Sequence, residues 1–600
     1  MNPLYPESDM KMAMPSVAVF KTLLQCLLLL SLLVIISLPI FQAGYFSDDM
    51  INSLIPGTIK IYHFSFWSYV YEYMKIWINY GRFFPLSILS SILVFNYFPD
   101  AHDYQIIRLV FIWISIFSFA WLLKVLTRDV FSALLFLILT PMCWSIHDAA
   151  DPLVSFAIFL PLVVIFAAMT LIFLRYYQDT EKTGWLALSL VMYLGGLACY
   201  ELGMVTFFLM LIVVHMHTHT TQHKIEIIKP YAILTLAYLL TYTILQHTNH
   251  LTYDGIKIHL GMPFLSGFIV QLTSALPLSY YLLATHTHLD AYELLQHIAA
   301  NKAAAAIALY LFFVTLITTF WLIRKVQFSK KNILCICLTG WTLMIFPAVL
   351  MGLSQKYQIL IHAGRGYIPV YVQYLGTACL LLSGICWLNL HIRQKTFLHL
   401  AIAAMVSAVV VMSWIVNLAV VTDNNEHNYN TRALYEKALQ HNVLATLPDH
   451  AYLIERLALW NAPDFYAINT DKNLAGVIDI NDRKNLPADK NYQDKFYIEA
   501  FHLENTQNGF VVLGHIQALS IKKMTETMQL TEKIKIENPM VFIAAKNLTE
   551  YKQICAALSA RLGLSLQQQA KLYALYSQSK NPWWLVPFAN HSFDLAIRYN

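Results

Sequence analysis

From residue 22 to residue 421 the chain repeats one pattern, an apolar run followed by a short polar break. A helix needs roughly 20 apolar residues to cross the ~30 Å hydrocarbon core of a bilayer. On that rule the runs at 22–43, 106–126, 130–147, 152–174, 184–200, 202–218, 229–247, 302–324, 332–353, 367–390 and 397–421 predict eleven spans, an odd number. Two more apolar stretches, FFPLSILSSILVFNYF at 83–98 and MPFLSGFIVQLTSALPLSYYLLA at 262–284, would invert the charge pattern of the loops if they crossed. They are assigned to interfacial or re-entrant helices. After Asp423 charged residues become frequent, TRALYEKALQHNVL has helical spacing, and GFVVLGHIQALSI and PMVFIAAK read as strands. The predicted organisation is therefore an α-helical polytopic membrane domain, 1–422, with an external loop at 44–105, followed by a soluble α/β domain at 423–600.

Composition agrees: 58% of the 600 residues are hydrophobic and 12% charged, against roughly 25% charged in ordinary soluble domains. The formal charge of +5 is small, and the basic residues sit in clusters between apolar runs, which excludes a nucleic-acid partner and reads as topology. Lys11 and Lys21, Lys124 and Arg128, Arg175 and Lys182, Lys224 and Lys229, Arg324 to Lys331, and Arg393 with Lys395 fall on one side, predicted cytoplasmic. The first run is longer than a signal-peptide core and is read as an uncleaved anchor with a cytoplasmic N-terminus. Asp48, Asp49, Asp148, Asp151, Glu201 and the C-terminal domain then face the extracytoplasmic space. Eight cysteines, seven of them in or beside apolar segments, form no disulfide framework or paired-thiol metal site.

Four polar interruptions carry candidate chemistry. In GYFSDDMINSLIPG, 44–57, Asp48 and Asp49 stand at the rim of a low-dielectric layer, where desolvation and mutual repulsion push one carboxyl towards accepting a proton near neutral pH. The aromatic stretch WSYVYEYMKIWINYGRFFPL, 67–86, fits a lid in the headgroup layer from which Lys75 and Arg82 reach phosphates. Glu201 interrupts two charge-free runs, either as a functional acid at membrane depth or as a hairpin turn packed through Gly195 and Gly196. In LSQKYQILIHAGRGYIPVY, 353–371, Lys356, Arg365 and Tyr367 lie in an external link, with Gly364 and Gly366 allowing close approach of an anion. His147, Asp148 and Asp151 read as a helix start before Pro152. The histidine-rich runs at 215–224 and 285–290 lack the companions of a metal site and read as solvated loops.

The first helix, the external FSDD, the interfacial segment with NYGRF, the many-helix body and the external C-terminal domain together resemble the GT-C class of integral-membrane glycosyltransferases. Within it the chain is most similar to bacterial enzymes using polyprenyl-phosphate-linked sugars, such as O-antigen glucosyltransferases and lipid A aminoarabinose transferases. The resemblance implies an inner-membrane enzyme that transfers a sugar from a polyprenyl-phosphate donor to an envelope glycan, lipid or protein acceptor, with inversion. It implies an acidic residue of the first external loop as general base, a role that falls to Asp48 or Asp49. Some members hold a divalent metal with a spaced acidic pair; here the pair is contiguous, which favours a metal-free base. Arg365, Lys356 and Arg82 would neutralise the departing phosphate, with Glu201 and Tyr367 orienting substrate. Other classes share parts of the pattern: a flippase or transporter, for which no internal repeat is visible, an O-antigen-type polymerase or ligase, and a non-catalytic assembly protein.

Overall fold

A computed structural model of the protein describes residues 17–425, except 54, 57–58, 60–62, 149, 218–219, 249–252, 285–301, 327–328 and 393–394; beyond them it describes 552–553, 556 and six strands. The second histidine-rich run, 285–290, lies outside the described residues. So do the connections within the C-terminal domain.

Helices α1 (Val17–Ile36), α2 (Leu38–Gln42) and the single turn α3 (Asp49–Asn52) lead to α4 (Phe66–Asn79) and α5 (Pro85–Tyr97). Then come α6 (Ala101–Thr127), α7 (Val130–Met142), α8 (Phe159–Thr180) and α9 (Thr183–Cys199), a 3-10 turn at Glu201–Met204, α10 (Val205–His217) and α11 (Thr221–Thr248). The body is completed by α12 (Met262–Thr273), α13 (Ser279–Leu283), α14 (Lys302–Lys325), α15 (Lys330–Leu353), α16 (Gln355–Leu360), α17 (Val370–His391) and α18 (Lys395–Asn424). Seven of these, α6, α8, α11, α14, α15, α17 and α18, are long and apolar enough to cross a bilayer on their own. The chain is a polytopic helical membrane protein.

Local chemistry sets the helix ends. Asp100 caps α6 by accepting from the His102 N–H, and α6 stops where Arg128 turns left-handed at φ 59. Asp129 accepts from the Phe131 and Ser132 N–H groups and starts α7 at once, so a two-residue turn reverses the chain. The run predicted as helix to 147 ends at Met142, one residue after Pro141, which has no N–H to give and crowds the preceding turn. The next helix begins at Phe159 rather than at 152. Irregular backbone inside an apolar body must find its partners in protein. It does so here: Ser413 Oγ donates to the Met142 carbonyl (3.1 Å), Asn417 Nδ2 to Trp144 O (3.1 Å) and Tyr374 OH to Ser145 O (3.1 Å), while Asn417 Oδ1 accepts from Ile146 N (2.8 Å).

Contacts sort the connections into two ends. At one, Asp179 bonds Arg175 (2.6 Å) and approaches Arg128 (4.0 Å), and Asn332 Nδ2 donates to Thr127 O (3.1 Å). At the other, called the upper end, Asn425 bonds Gly44 N and Gln42 O (both 2.8 Å), Tyr253 N donates to Tyr80 O (3.2 Å) and Arg365 meets Asp148 (2.7 Å). Helix α5, 13 residues and thus about 20 Å long, starts with Ser87 Oγ on Cys199 O and finishes beside Tyr45, whose hydroxyl bonds Pro99 O (2.6 Å). Both of its ends therefore lie at the upper end. The 262–284 stretch is split at 274–278 into α12 and α13 and is held at the same end by Gln271 on Tyr367 O (3.3 Å) and Tyr280 N on Ser145 Oγ (3.1 Å). Among the described residues, α1, α6 to α11, α14, α15, α17 and α18 are the helices that join the two ends.

The C-terminal residues contain a six-stranded sheet of β1 (Ala451–Arg456), β2 (Phe496–Thr506), β3 (Gly509–Ser520), β4 (Val541–Ala545), β5 (Leu572–Gln578) and β6 (Asp594–Tyr599), ordered β3-β2-β1-β4-β5-β6. The four central strands run parallel, and β3 and β6 close the edges antiparallel.

Helices α15 and α17, which carry the link at 354–369 between them, touch through glycine: a Cβ on Gly340 would sit 2.9 Å from Gly376 O, and one on Gly376 2.9 Å from Gly340 O. Adding a side chain there must part the two helices. Gly376→Val is expected to destabilise the detergent-solubilised protein by about 1–3 kcal/mol, read as a lowered thermal midpoint. Gly384→Ala, where the added atom meets nothing within 4 Å, is the matched control.

Candidate functional site

The upper end brings three loops together: the segment after α2, the irregular stretch 143–158, and the link between α15 and α17. The contiguous aspartates part company there. Ser47 has a left-handed φ of 48, and the two carboxylates that follow face different surroundings. Asp49 is fully buried; its Oδ2 accepts from Tyr104 OH, lies 3.8 Å from Arg108 and has Ala157 N at 3.5 Å. Burial pushes the Asp49 carboxyl up to about 6, against the lowering pull of Arg108, Tyr104 and the Phe156 and Ala157 backbone. Asp48 is half-buried, and its charge acts on the hydroxyls of Tyr73 in α4 and Tyr367.

Tyr367 belongs to a cluster of hydroxyls. Its ring packs on Tyr357 with centroids 4.2 Å apart; the Tyr357 hydroxyl lies 3.3 Å from that of Tyr367 and 2.9 Å from that of Tyr253. Lys356 Nζ donates to Tyr253 OH (3.0 Å) and stands 4.5 Å over that ring. No carboxylate lies within ion-pair distance of Lys356 among the described residues. Burial, then the neighbouring tyrosines, holds the Tyr357 and Tyr367 hydroxyls well above the usual tyrosine range, so both stay protonated and able to donate.

The other two cations are committed internally. Arg82 is buried and clasps Glu201 with two bonds, Nε to Oε1 (2.9 Å) and a terminal nitrogen to Oε2 (3.0 Å). Tyr242 OH adds a third bond to Glu201, and the guanidinium lies over Phe84 (4.5 Å), Tyr253 (5.0 Å), Trp77 (5.4 Å) and Tyr200 (5.5 Å). This corrects the expectation that Arg82 reaches out to phosphate: its planar fork matches a carboxylate, and the rings shut out water. The pair pins the end of the aromatic helix α4, whose Trp67 and Tyr71 remain exposed, to the turn after α9. That turn requires glycine, because a Cβ on Gly203 would fall 2.3 Å from Gly196 O. Glu201 thus stands in the hairpin turn that one reading expects, and its carboxylate is paired with Arg82.

Arg365 bonds Asp148 at 2.7 Å. Its flanking glycines, φ 79 and 63, are closely packed: a Cβ on Gly364 would meet Ser279 O at 2.6 Å, and one on Gly366 would meet Ser274 Cβ at 2.8 Å. Asp151 caps a turn through Leu153 N (2.7 Å) and Val154 N (3.2 Å), whereas the helix start expected before Pro152 falls at Phe159, and His147 Nε2 lies 3.4 Å from Asp151. Among the described residues no group of three or more His, Cys, Asp or Glu side chains is assembled to hold a metal.

Sequence reasoning passed over Arg108, Tyr104, Tyr253 and Tyr357. Arg108 had a signal, a charge near the start of the run 106–126, well separated from Lys124 near its other end, where an ionisable residue marks a special site by default. The tyrosines had none, since aromatics abound along the chain.

No family model matches the chain, and no curated protein does. Among solved structures it is similar to the crystal structure of ArnT from Cupriavidus metallidurans bound to undecaprenyl phosphate, at 11% identity and a TM-score of 0.38, covering 81% of this chain and 94% of that one. No residue role is carried across at that level.

The Arg82–Glu201 pair can be tested by itself. Arg82→Ala or Glu201→Ala leaves a partner charge stranded and is expected to cost about 3–5 kcal/mol, with the double variant costing clearly less than the sum. Thermal unfolding of the four proteins in detergent gives the coupling.

Proposed function

We propose that this protein is a membrane glycosyltransferase of GT-C type that moves a sugar from a polyprenyl-phosphate donor to an acceptor on the extracytoplasmic side. The observation that carries the reading is the presence at the upper end of a half-exposed carboxylate, Asp48, whose charge acts on Tyr367, and of a cluster of hydroxyls backed by Lys356, an ammonium with no carboxylate within ion-pair distance among the described residues. A base and an anion site at the same end, beside an aromatic helix suited to the headgroup layer, fit a substrate whose tail stays in the bilayer and whose head enters a polar pocket.

In this reading Asp48 takes the proton of the acceptor hydroxyl as its oxygen attacks the anomeric carbon from the face opposite the phosphate. The glycosidic bond forms as the sugar–phosphate bond breaks, with inversion. Lys356 and the hydroxyls of Tyr253, Tyr357 and Tyr367 receive the charge gathering on the leaving phosphate. Asp49, Arg82, Glu201 and Arg365 shape the pocket rather than touch the reacting atoms. No metal is assigned, because Asp49, which would have to share one with Asp48, is committed to Arg108.

The helices that join the two ends make eleven crossings, and the chain leaves α18 at the upper end beside Gly44. With Arg128, Arg175 and Lys331 at the opposite end, the positive-inside rule puts the upper end and the C-terminal α/β domain outside the cytoplasm. In bacteria that is the periplasmic face of the inner membrane. The sugar and the acceptor, whether envelope glycan, lipid or protein, are left open.

Transfer from radiolabelled polyprenyl-phosphate sugars in proteoliposomes tests the reading. Asp48→Asn is expected to lower kcat by ~10²–10⁴-fold, the contribution of a general base. Lys356→Ala is expected to lower kcat by ~10²-fold or more through the lost leaving-group charge. Unchanged transfer in Asp48→Asn variants that insert normally overturns the assignment, and repeated additions to one acceptor would point to a polymerase.

A further inference from the structure

Arg108 sits two turns into α6 with 1% of its side chain exposed. One terminal nitrogen donates to Pro152 O (2.7 Å); the other lies 3.3 Å from Tyr104 OH and 3.8 Å from Asp49 Oδ2. Tyr104 OH donates to the same carboxylate oxygen, and Ala157 N reaches both the tyrosine oxygen (3.1 Å) and the carboxylate (3.5 Å). Phe156 and Ala157 are both left-handed, φ 72 and 46, a conformation that persists where surroundings over-determine it. Their strained backbone is turned onto Asp49.

The groups facing Asp49 are Arg108 and Tyr104 from α6 and the Phe156 and Ala157 backbone from the irregular segment; α5, which also packs on this turn, carries no Asp, Glu, His, Lys or Arg. Behind Arg108 stand Asp151, on which its charge also acts, and His147, 3.4 Å from Asp151. One residue along the chain from this clamped carboxylate, Asp48 faces the tyrosine cluster. Ser47, on the other side of Asp48, is itself left-handed. A backbone fixed on both sides of a single residue leaves that residue little freedom of direction.

Resting on the function proposed above, we infer that Arg108 and Tyr104 are positioning residues for the transfer reaction: by clamping Asp49 they fix the turn that presents Asp48 to the sugar. Neither touches the cluster that would hold substrate, so their contribution comes through geometry. Misplacing a catalytic group by about 1 Å costs on the order of 10²-fold in rate.

The test uses the full-length protein in proteoliposomes. Tyr104→Phe and Asp49→Asn, both nearly isosteric, are expected to lower kcat by ~10- to 100-fold with donor KM unchanged. Arg108→Lys, which keeps the charge, is expected to fall between the parent and Arg108→Met. The pH profile supplies a readout that a merely structural role would not move. In the parent, kcat falls as pH drops through about 6, where Asp49 takes up a proton and Arg108 loses its counter-charge. Tyr104→Phe removes a bond to the charged form, so this limb moves to higher pH, and Asp49→Asn abolishes it.

Variants that lose thermal stability yet keep kcat within twofold and an unmoved acid limb overturn the inference. Should the Arg108 variants fail to insert, Tyr104→Phe decides the matter, because its ring keeps the stack on Phe95 (4.9 Å between centroids). If Asp48→Asn abolishes transfer while Tyr104→Phe and Asp49→Asn behave as the parent, the positioning role alone is lost. If Asp48→Asn transfers normally, the proposed function and the inference fall together.

Discussion

A guanidinium cannot shed its charge inside a protein, so wherever one is buried the surroundings must be organised around it. Arg108 imposes that demand at the upper end. Its charge draws in the segment after α2 through an ion pair with Asp49, and its hydrogen bond to Pro152 O draws in the irregular stretch 143–158. From there Asp148 reaches Arg365 in the link between α15 and α17, and Tyr367, two residues on, feels the charge of Asp48. Three loops that are far apart in sequence are thus coupled at the upper end, with one buried charge at their base.

The cations of the upper end divide by partner. Arg82 and Arg365 each hold a carboxylate and join elements: α4 to the turn after α9, and the 353–371 link to the 143–158 segment. Lys356 rests on tyrosine hydroxyls instead. The residue types fit those tasks. A planar fork makes a directed tie, whereas an ammonium on a flexible stem can follow a moving anion.

Much of this was legible in the chain. Apolar run length located the helical runs, seven of which are long and apolar enough to cross a bilayer, while others such as α7 and α10 are shorter than predicted, and loop charge kept 83–98 and 262–284 among the elements that stay at one end. The break after α7 was missed, since the run continues apolar past Pro141 to 147, and its extent, to Phe159, depends on Asn417, Ser413 and Tyr374, which lie far away in sequence. At the site, sequence put Asp48, Arg82, Glu201, Lys356 and Arg365 at one end yet could not pair them. Pairing is decided by which side chains face each other across helices, and one chain carries no record of that. Arg82 therefore read as a phosphate ligand until Glu201 was found in its fork. The adjacent aspartates could not be told apart without Arg108, since only a buried partner gives two neighbouring identical acids different surroundings.

Internal neutralisation also shapes how anything charged arrives. Each arginine with its acid is a dipole at a distance, so the far field of the upper end is weak even though it is crowded with ionisable groups. A lipid-borne anion would reach Lys356 by two-dimensional diffusion and be felt only at close range, inside the ~8 Å over which physiological salt lets charges interact. Encounter would then be nearly indifferent to ionic strength, and selectivity would reside in hydroxyl geometry.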